Sequence, residues 1–136
     1  MTSQLNVDTI VDKAGSGGTN VKIGNTSTYV SENSTTTQNT VQGLGKSWCN
    51  YVTASTFVNN DSFNVSSLGD FGAGSCTMNF TNNMNNVTFS SPAISSNTHI
   101  FQGGTSTSNV SNVSRDNNHA DSDAARNHNT VHGDLA

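Results

Sequence analysis

Charge is scarce in this chain. Asp, Glu, Lys and Arg make up 10% of its 136 residues, against about a quarter of an ordinary domain. The five cations, Lys13, Lys22, Lys46, Arg115 and Arg126, are scattered, and the net charge is −4. That balance argues against nucleic-acid binding. Long apolar runs are missing as well, with no stretch near the roughly 18 residues of a membrane span. The two cysteines, Cys49 and Cys76, allow at most one internal bridge and lack Cys-x-x-Cys spacing. The opening "MTSQLNVDTIVDKAG" has no basic and apolar leader pattern, which predicts synthesis in a reducing cytosol and free thiols. Apolar residues reach only 31%. Even with the 12 glycines, the chain falls short of the roughly 45–50% usual for globular proteins. A domain this poor in large side chains is expected to be marginal alone, with oligomerisation the leading remedy.

What fills the gap is Asn, Ser and Thr, together more than two fifths of the chain. Disordered chains combine low hydrophobicity with high net charge, whereas this one keeps clear strand periodicity. In "SFNVSSLGDFGAGSCTMNFTNNM", Phe63 and Val65 alternate with Asn64 and Ser66, and Cys76, Met78 and Phe80 alternate with Thr77, Asn79 and Thr81. Such alternation marks strands with one face buried, here around a glycine turn. Phe71 sits in that turn, "GDFGAG", and is the candidate for an exposed tip that meets a partner. Asn-x-Ser/Thr triplets such as Asn86-Val87-Thr88 follow from the composition rather than from glycosylation.

Residues 1–24 read as an arm or hairpin, with Leu5, Val7, Ile10, Val21 and Ile23 the candidate anchoring side chains. Residues 25–45 carry few apolar positions and read as a polar linker or stalk. Residues 46–136 read as the β-rich head. Its expected strands are "KSWCNYV", the next in "STFVNNDSFNVSSL" with Asn59-Asn60-Asp61 as a candidate turn, the quoted hairpin, "NNVTFSSPAI" and "NTHIFQGG". Short strands with turn signals every eight to twelve residues predict an all-β, antiparallel sandwich or barrel. For the tail, either a helical turn in "DSDAARNH" or a final strand "NTVHGDLA" fits the residues. Trp48, Phe63, Met78, Phe80 and Phe89 are the expected core, shared within and between chains.

From Lys46 to Ala93 the chain resembles a module found in tail-fibre and other virion-surface proteins of tailed phages, especially marine ones. The residues that carry the likeness are Lys46-Ser47-Trp48, Ser62 to Ser67, Gly69 to Gly74, Thr77 to Thr81 and Met84, in that order. The ends, "QLNVDTIVDKAG" and Gly133 to Ala136, are similar too. Cys49 departs from the pattern, which more often has an aliphatic residue there. The resemblance implies a virion structural protein, a homotrimer in contact with other virion proteins, with no catalytic residues, cofactor or metal. At this length it implies a short fibre or capsid knob with an adhesive role toward a host-surface glycan. The rival reading is a capsid decoration protein bound to the head lattice without a receptor role.

The residues offer other chemistry only faintly. His119, His128 and His132 suggest a metal, since the last two would share a face if helical. A solvated polar tail is the simpler account. Asp61, Asp70, Asp116, Asp121, Asp123 and Asp134 supply carboxylates, but hydrolysis of a glycoside needs two of them together, and turns commonly use lone aspartates. Asp121-Ser122-Asp123 is only a fragment of a calcium loop. "GSGG" lacks the lysine of a phosphate loop. Trp48, Tyr51, Phe57, Phe71 and Phe101 are the possible sugar-stacking aromatics, most of them expected in the core.

Overall fold

The structure is a computed structural model that describes residues 27–30 and 35–136, the side chains of Val41 and Gln42 excepted. Leu5, Val7, Ile10, Val21 and Ile23 lie outside the described residues. The chain divides into two compact units, Met1–Val41 and Gln42–Ala136. In the first, β1 (Thr28–Val30) and β2 (Thr37–Asn39) pair antiparallel, with Thr28 opposite Asn39. Within a stretch that reads as linker, the Tyr29 hydroxyl donates to Gln38 across this ladder. A single helical turn, α1 (Thr40–Gly43), follows.

The second unit is all strand and loop. Its elements are β3 (Gly45–Val52), β4 (Val58–Phe63), β5 (Val65–Asp70), β6 (Ser75–Phe80), β7 (Ala93–Ser95), β8 (His99–Ser106), β9 (Asn109–Arg115) and β10 (Asn127–His132). They form two four-stranded antiparallel sheets, in the orders β4-β3-β10-β7 and β5-β6-β9-β8. The chain changes sheets at β4 to β5, β6 to β7, β7 to β8 and β9 to β10, and the consecutive pairs β4, β5 and β7, β8 form the edges of both sheets. The result is a small β-sandwich with the alternating faces of β3, β6, β9 and β10 turned inward.

Asn64 makes the first crossing. It adopts a left-handed backbone with φ 56°, which asparagine tolerates better than most residues. Its side-chain amide donates to the Lys46 and Asn82 carbonyls at 3.0 and 3.1 Å, and its oxygen accepts from the Asn82 N–H at 2.7 Å. One polar side chain thus pins a corner where the strand changes sheets.

Asn59-Asn60-Asp61 is not a turn. Asn50 pairs with Asp61 and Tyr51 with Asn59, which leaves Asn60 as an extra residue in an edge strand. Such a bulge bends and twists an edge, and it uses the same Asn- and Asp-rich composition that turns do. The expected strand around Val87 is a loop. It buries Met84 and Phe89 and leaves Val87 half exposed. Gly133 packs under it, where a Cβ would stand 2.8 Å from the Phe89 Cβ. The tail takes the strand alternative, since β10 lies between β3 and β7.

The interior closes within one chain. Met78, Val110 and Val131 are fully buried, Tyr51 and Met84 nearly so. Phe80 meets Phe89 edge to face, with ring centroids 5.9 Å apart. Between these apolar groups lie amides and hydroxyls. Asn129 Nδ2 donates to Asn112 Oδ1 at 3.0 Å inside the sandwich, and Ser91 donates to Asn129 Oδ1 at 3.0 Å. Thr53 accepts from the Ala124 N–H at 2.8 Å, and Asn127 Nδ2 donates to Thr53 at 3.5 Å. Each of these amides makes at least one hydrogen bond, which offsets part of the cost of burial, while Asn112 Nδ2 and Asn127 Oδ1 have no partner among the described residues. They fill the volume that large aliphatic residues fill elsewhere. Trp48 and Phe63, expected in the core, are outside it and 37% and 53% exposed.

Candidate functional site

The outer face of the first sheet follows from strand alternation. With Ser47, Cys49 and Tyr51 turned inward, Trp48 and Asn50 point out. On β10 the inward Asn127, Asn129 and Val131 leave His128 and Thr130 outside. The register then sets these side chains in two rows across the sheet. Phe63 pairs with Trp48 and Trp48 with Thr130, whose N–H reaches the Pro92 carbonyl at 3.1 Å. In the next row Asp61 pairs with Asn50, Asn50 with His128 and His128 with Ile94. Cross-strand neighbours stand about 5 Å apart, so an aromatic and apolar row runs beside a more polar one. Asn60 Nδ2 donates to Asn50 Oδ1 at 3.4 Å and ties the bulge to the polar row.

A cleft of about 340 Å³ opens on this face between β3, β10 and the approach to β7. Trp48, Pro92, Ile94, His128 and Thr130 line it. The lining carries no acidic or permanently cationic side chain, and Asp61 lies one strand further out. Its size sits at the small end of ligand pockets.

A second aromatic group occupies the outer face of the other sheet. The Arg115 guanidinium lies 5.1 Å from the Phe101 ring centroid, and Arg115 Nε donates to Asp121 at 2.7 Å. His99 stacks on Phe101 at 6.1 Å and meets the His119 ring at 4.6 Å. The cation occupies one side of Phe101, so that ring is already partnered. Phe71 is 72% exposed in the β5–β6 turn. Tyr51 is buried and Phe57 packs partly buried against the core.

The three tail histidines, His119, His128 and His132, do not form one site. His128 and His132 lie on a strand rather than a helix, which spaces them about 13 Å apart along it. His119 is in a turn with φ 62°. Among the described residues no group of three His, Cys, Asp or Glu side chains could hold a metal. The aspartates serve the backbone: Asp70 accepts from Gly72, Asp116 from Asn118 and Ala120, and Asp123 from Gly74 at 2.7 Å.

Both thiols are buried and free. Burial pushes the Cys49 thiol up to about 11, with the Asp61 carboxylate adding to the effect. Burial likewise pushes Cys76 up to about 12, helped by Cys49 and then Asp70. The Tyr51 hydroxyl is raised by burial and by both thiols, while Asn112 pulls the other way. Asn112 Nδ2 has no hydrogen-bond partner in good geometry, although it lies near enough to Tyr51 to act on that group. Protonated, enclosed thiols are poor nucleophiles and poor metal ligands.

Sequence reasoning placed Trp48 in the core because large aromatics are few and usually go there. The alternation Lys46, Trp48, Asn50 against Ser47, Cys49, Tyr51 carried the contrary signal, since it puts the tryptophan on the opposite face from the tyrosine. The chain matches no protein-family model, and no curated protein and no solved structure matches it.

Proposed function

We propose that this chain is a structural and adhesive module of a phage particle surface, a homotrimeric short fibre or knob that acts by binding rather than by catalysis. The observation that carries the adhesive part is the outer face of the first sheet. There Trp48, Phe63 and Ile94 stand exposed together on one sheet face, in a domain whose surface is rich in amides and hydroxyls. Exposed aromatics beside amides suit recognition of a surface molecule. The ordered likeness from Lys46 to Ala93 supports the virion setting. Display in several copies would multiply weak contacts through effective concentration.

The test incubates purified full chain with bacterial cells or lipopolysaccharide and, in parallel, with empty capsid shells. Saturable binding to cells or lipopolysaccharide is the expected result. Stoichiometric binding to shells with none to cells would replace the adhesive role with capsid decoration. Sedimentation gives the mass of three chains on this reading, and a folded monomer at micromolar concentration would remove the trimer.

A further inference from the structure

We infer that the Trp48 cleft is a saccharide site, and that its ligand is a neutral pyranose of a glycan rather than an acidic sugar. The inference rests on the adhesive reading and names the place and the ligand class. A pyranose ring has one face of C–H groups and a rim of hydroxyls. The cleft matches both. Trp48, Thr130 and Pro92 line the cleft, the indole offering a face on which the C–H side can stack, and Phe63 extends that row beyond Trp48. In the adjacent row the His128 imidazole lines the cleft where the hydroxyls would lie, with Asn50 and then Asp61 beyond it on the neighbouring strands.

Size and charge narrow the ligand. A cleft of about 340 Å³ holds one or two sugar rings rather than a peptide segment. Its lining has no acid and no permanent cation, Asp61 stands nearby and the whole chain carries −4. A carboxylated or sulfated sugar would meet repulsion without a counter-charge, whereas a neutral one loses nothing. Two other exposed aromatics of the second unit, Phe101 and Phe71, are less suited. Phe101 is covered by Arg115 on one side, and Phe71 stands 72% exposed at the β5–β6 turn.

The chain contains one tryptophan, so its emission reports on this cleft alone. Full-length protein is titrated with cellohexaose and chitohexaose, both neutral, and with oligogalacturonate, which is anionic. The expected result is a saturable change in Trp48 emission with a neutral oligosaccharide and none with the anionic one. Binding to the immobilised neutral glycan falls roughly ten-fold in Trp48→Ala and in His128→Ala, and Phe71→Ala binds as the parent does. His128→Ala keeps the experiment informative if Trp48→Ala folds poorly. No response to either neutral glycan overturns the site, as does undiminished binding by both folded variants. An emission change on concentrating the protein alone, with a matching rise in mass, would show that a second copy covers the cleft and overturns it too. Cell binding retained by Trp48→Ala and His128→Ala would sink this site and leave the adhesive function standing. Loss of cell binding by the parent protein would remove the function itself.

Discussion

At the scale of single residues, the interior depends on asparagines that have found partners. Asn129 links Ser91 to Asn112 inside the sandwich. Asn129→Ala leaves the buried Asn112 side-chain carbonyl and the half-buried Ser91 hydroxyl without their partner, which costs about 1–3 kcal/mol in urea unfolding. Changing Asn112 and Asn129 together to Leu removes both partners at once and is expected to cost less than Asn129→Ala alone. A double variant weaker than the single one would contradict this account of the core. The sequence hid these positions because the same three residue types cover the surface. An asparagine on an inward-facing register looks like any other until the strand's partners are known.

The thiols give a second test at this scale. Their pKa values are raised on folding from 9.0 to about 11 for Cys49 and about 12 for Cys76. Below pH 9 both folded and unfolded thiols are protonated, so their contribution is constant there. Above it the unfolded thiols ionise first, which favours unfolding. Stability is therefore expected to hold up to about pH 9 and to fall between about pH 9 and 12. Both cysteines should resist a thiol reagent at neutral pH until the protein is unfolded. Rapid labelling of the native chain would contradict their enclosure.

At the scale of elements, the turns and corners are fixed by close approach. Gly74 has φ 68°, and a Cβ there would lie 2.4 Å from the Ser114 carbonyl oxygen and 2.6 Å from that of Ser122. Its N–H donates to Asp123, and its carbonyl accepts from the Ser114 N–H at 2.9 Å. Gly74→Ala is expected to cost about 3 kcal/mol or more. Gly104→Ala, with nothing within 4 Å, should stay within about 0.5 kcal/mol. At the sheet-crossing corner, Asn64→Ala should be worse than Asn64→Gly by about 1 kcal/mol, because only glycine accepts the left-handed backbone without strain. Equal costs would show that φ plays no part there.

Strands with clean alternation, such as β6 with Cys76, Met78 and Phe80, were legible in the sequence. The β4 bulge and strand β10 were less so. A bulge and a turn draw on the same Asn and Asp residues. In β10, Val131 is the only aliphatic residue, and the other inward positions are asparagines. The candidate site is legible only in part: composition marks Trp48 as a possible stacking aromatic, but its face follows from pairings distant in sequence, Trp48 with Thr130 and His128 with Ile94.

At the scale of the molecule, the all-β architecture follows from many short alternating segments and no helical period. That one chain encloses this much buried interior does not. Counting apolar residues suggests a core too small for one chain. The sandwich makes up the difference with hydrogen-bonded amides and with side chains drawn from both sheets and the loop around Met84 and Phe89. With the interior filled in this way, two large aromatic side chains, Trp48 and Phe63, are left on an outer face. The binding reading depends on that surplus.

Acrylamide quenching of Trp48 emission in the native full-length chain, across a dilution series, tests this arrangement most directly. The account predicts a solvent-accessible indole, readily quenched and unchanged on dilution. A shielded indole that becomes accessible only as the protein is diluted would place Trp48 in an interior held jointly by several chains, and would contradict it.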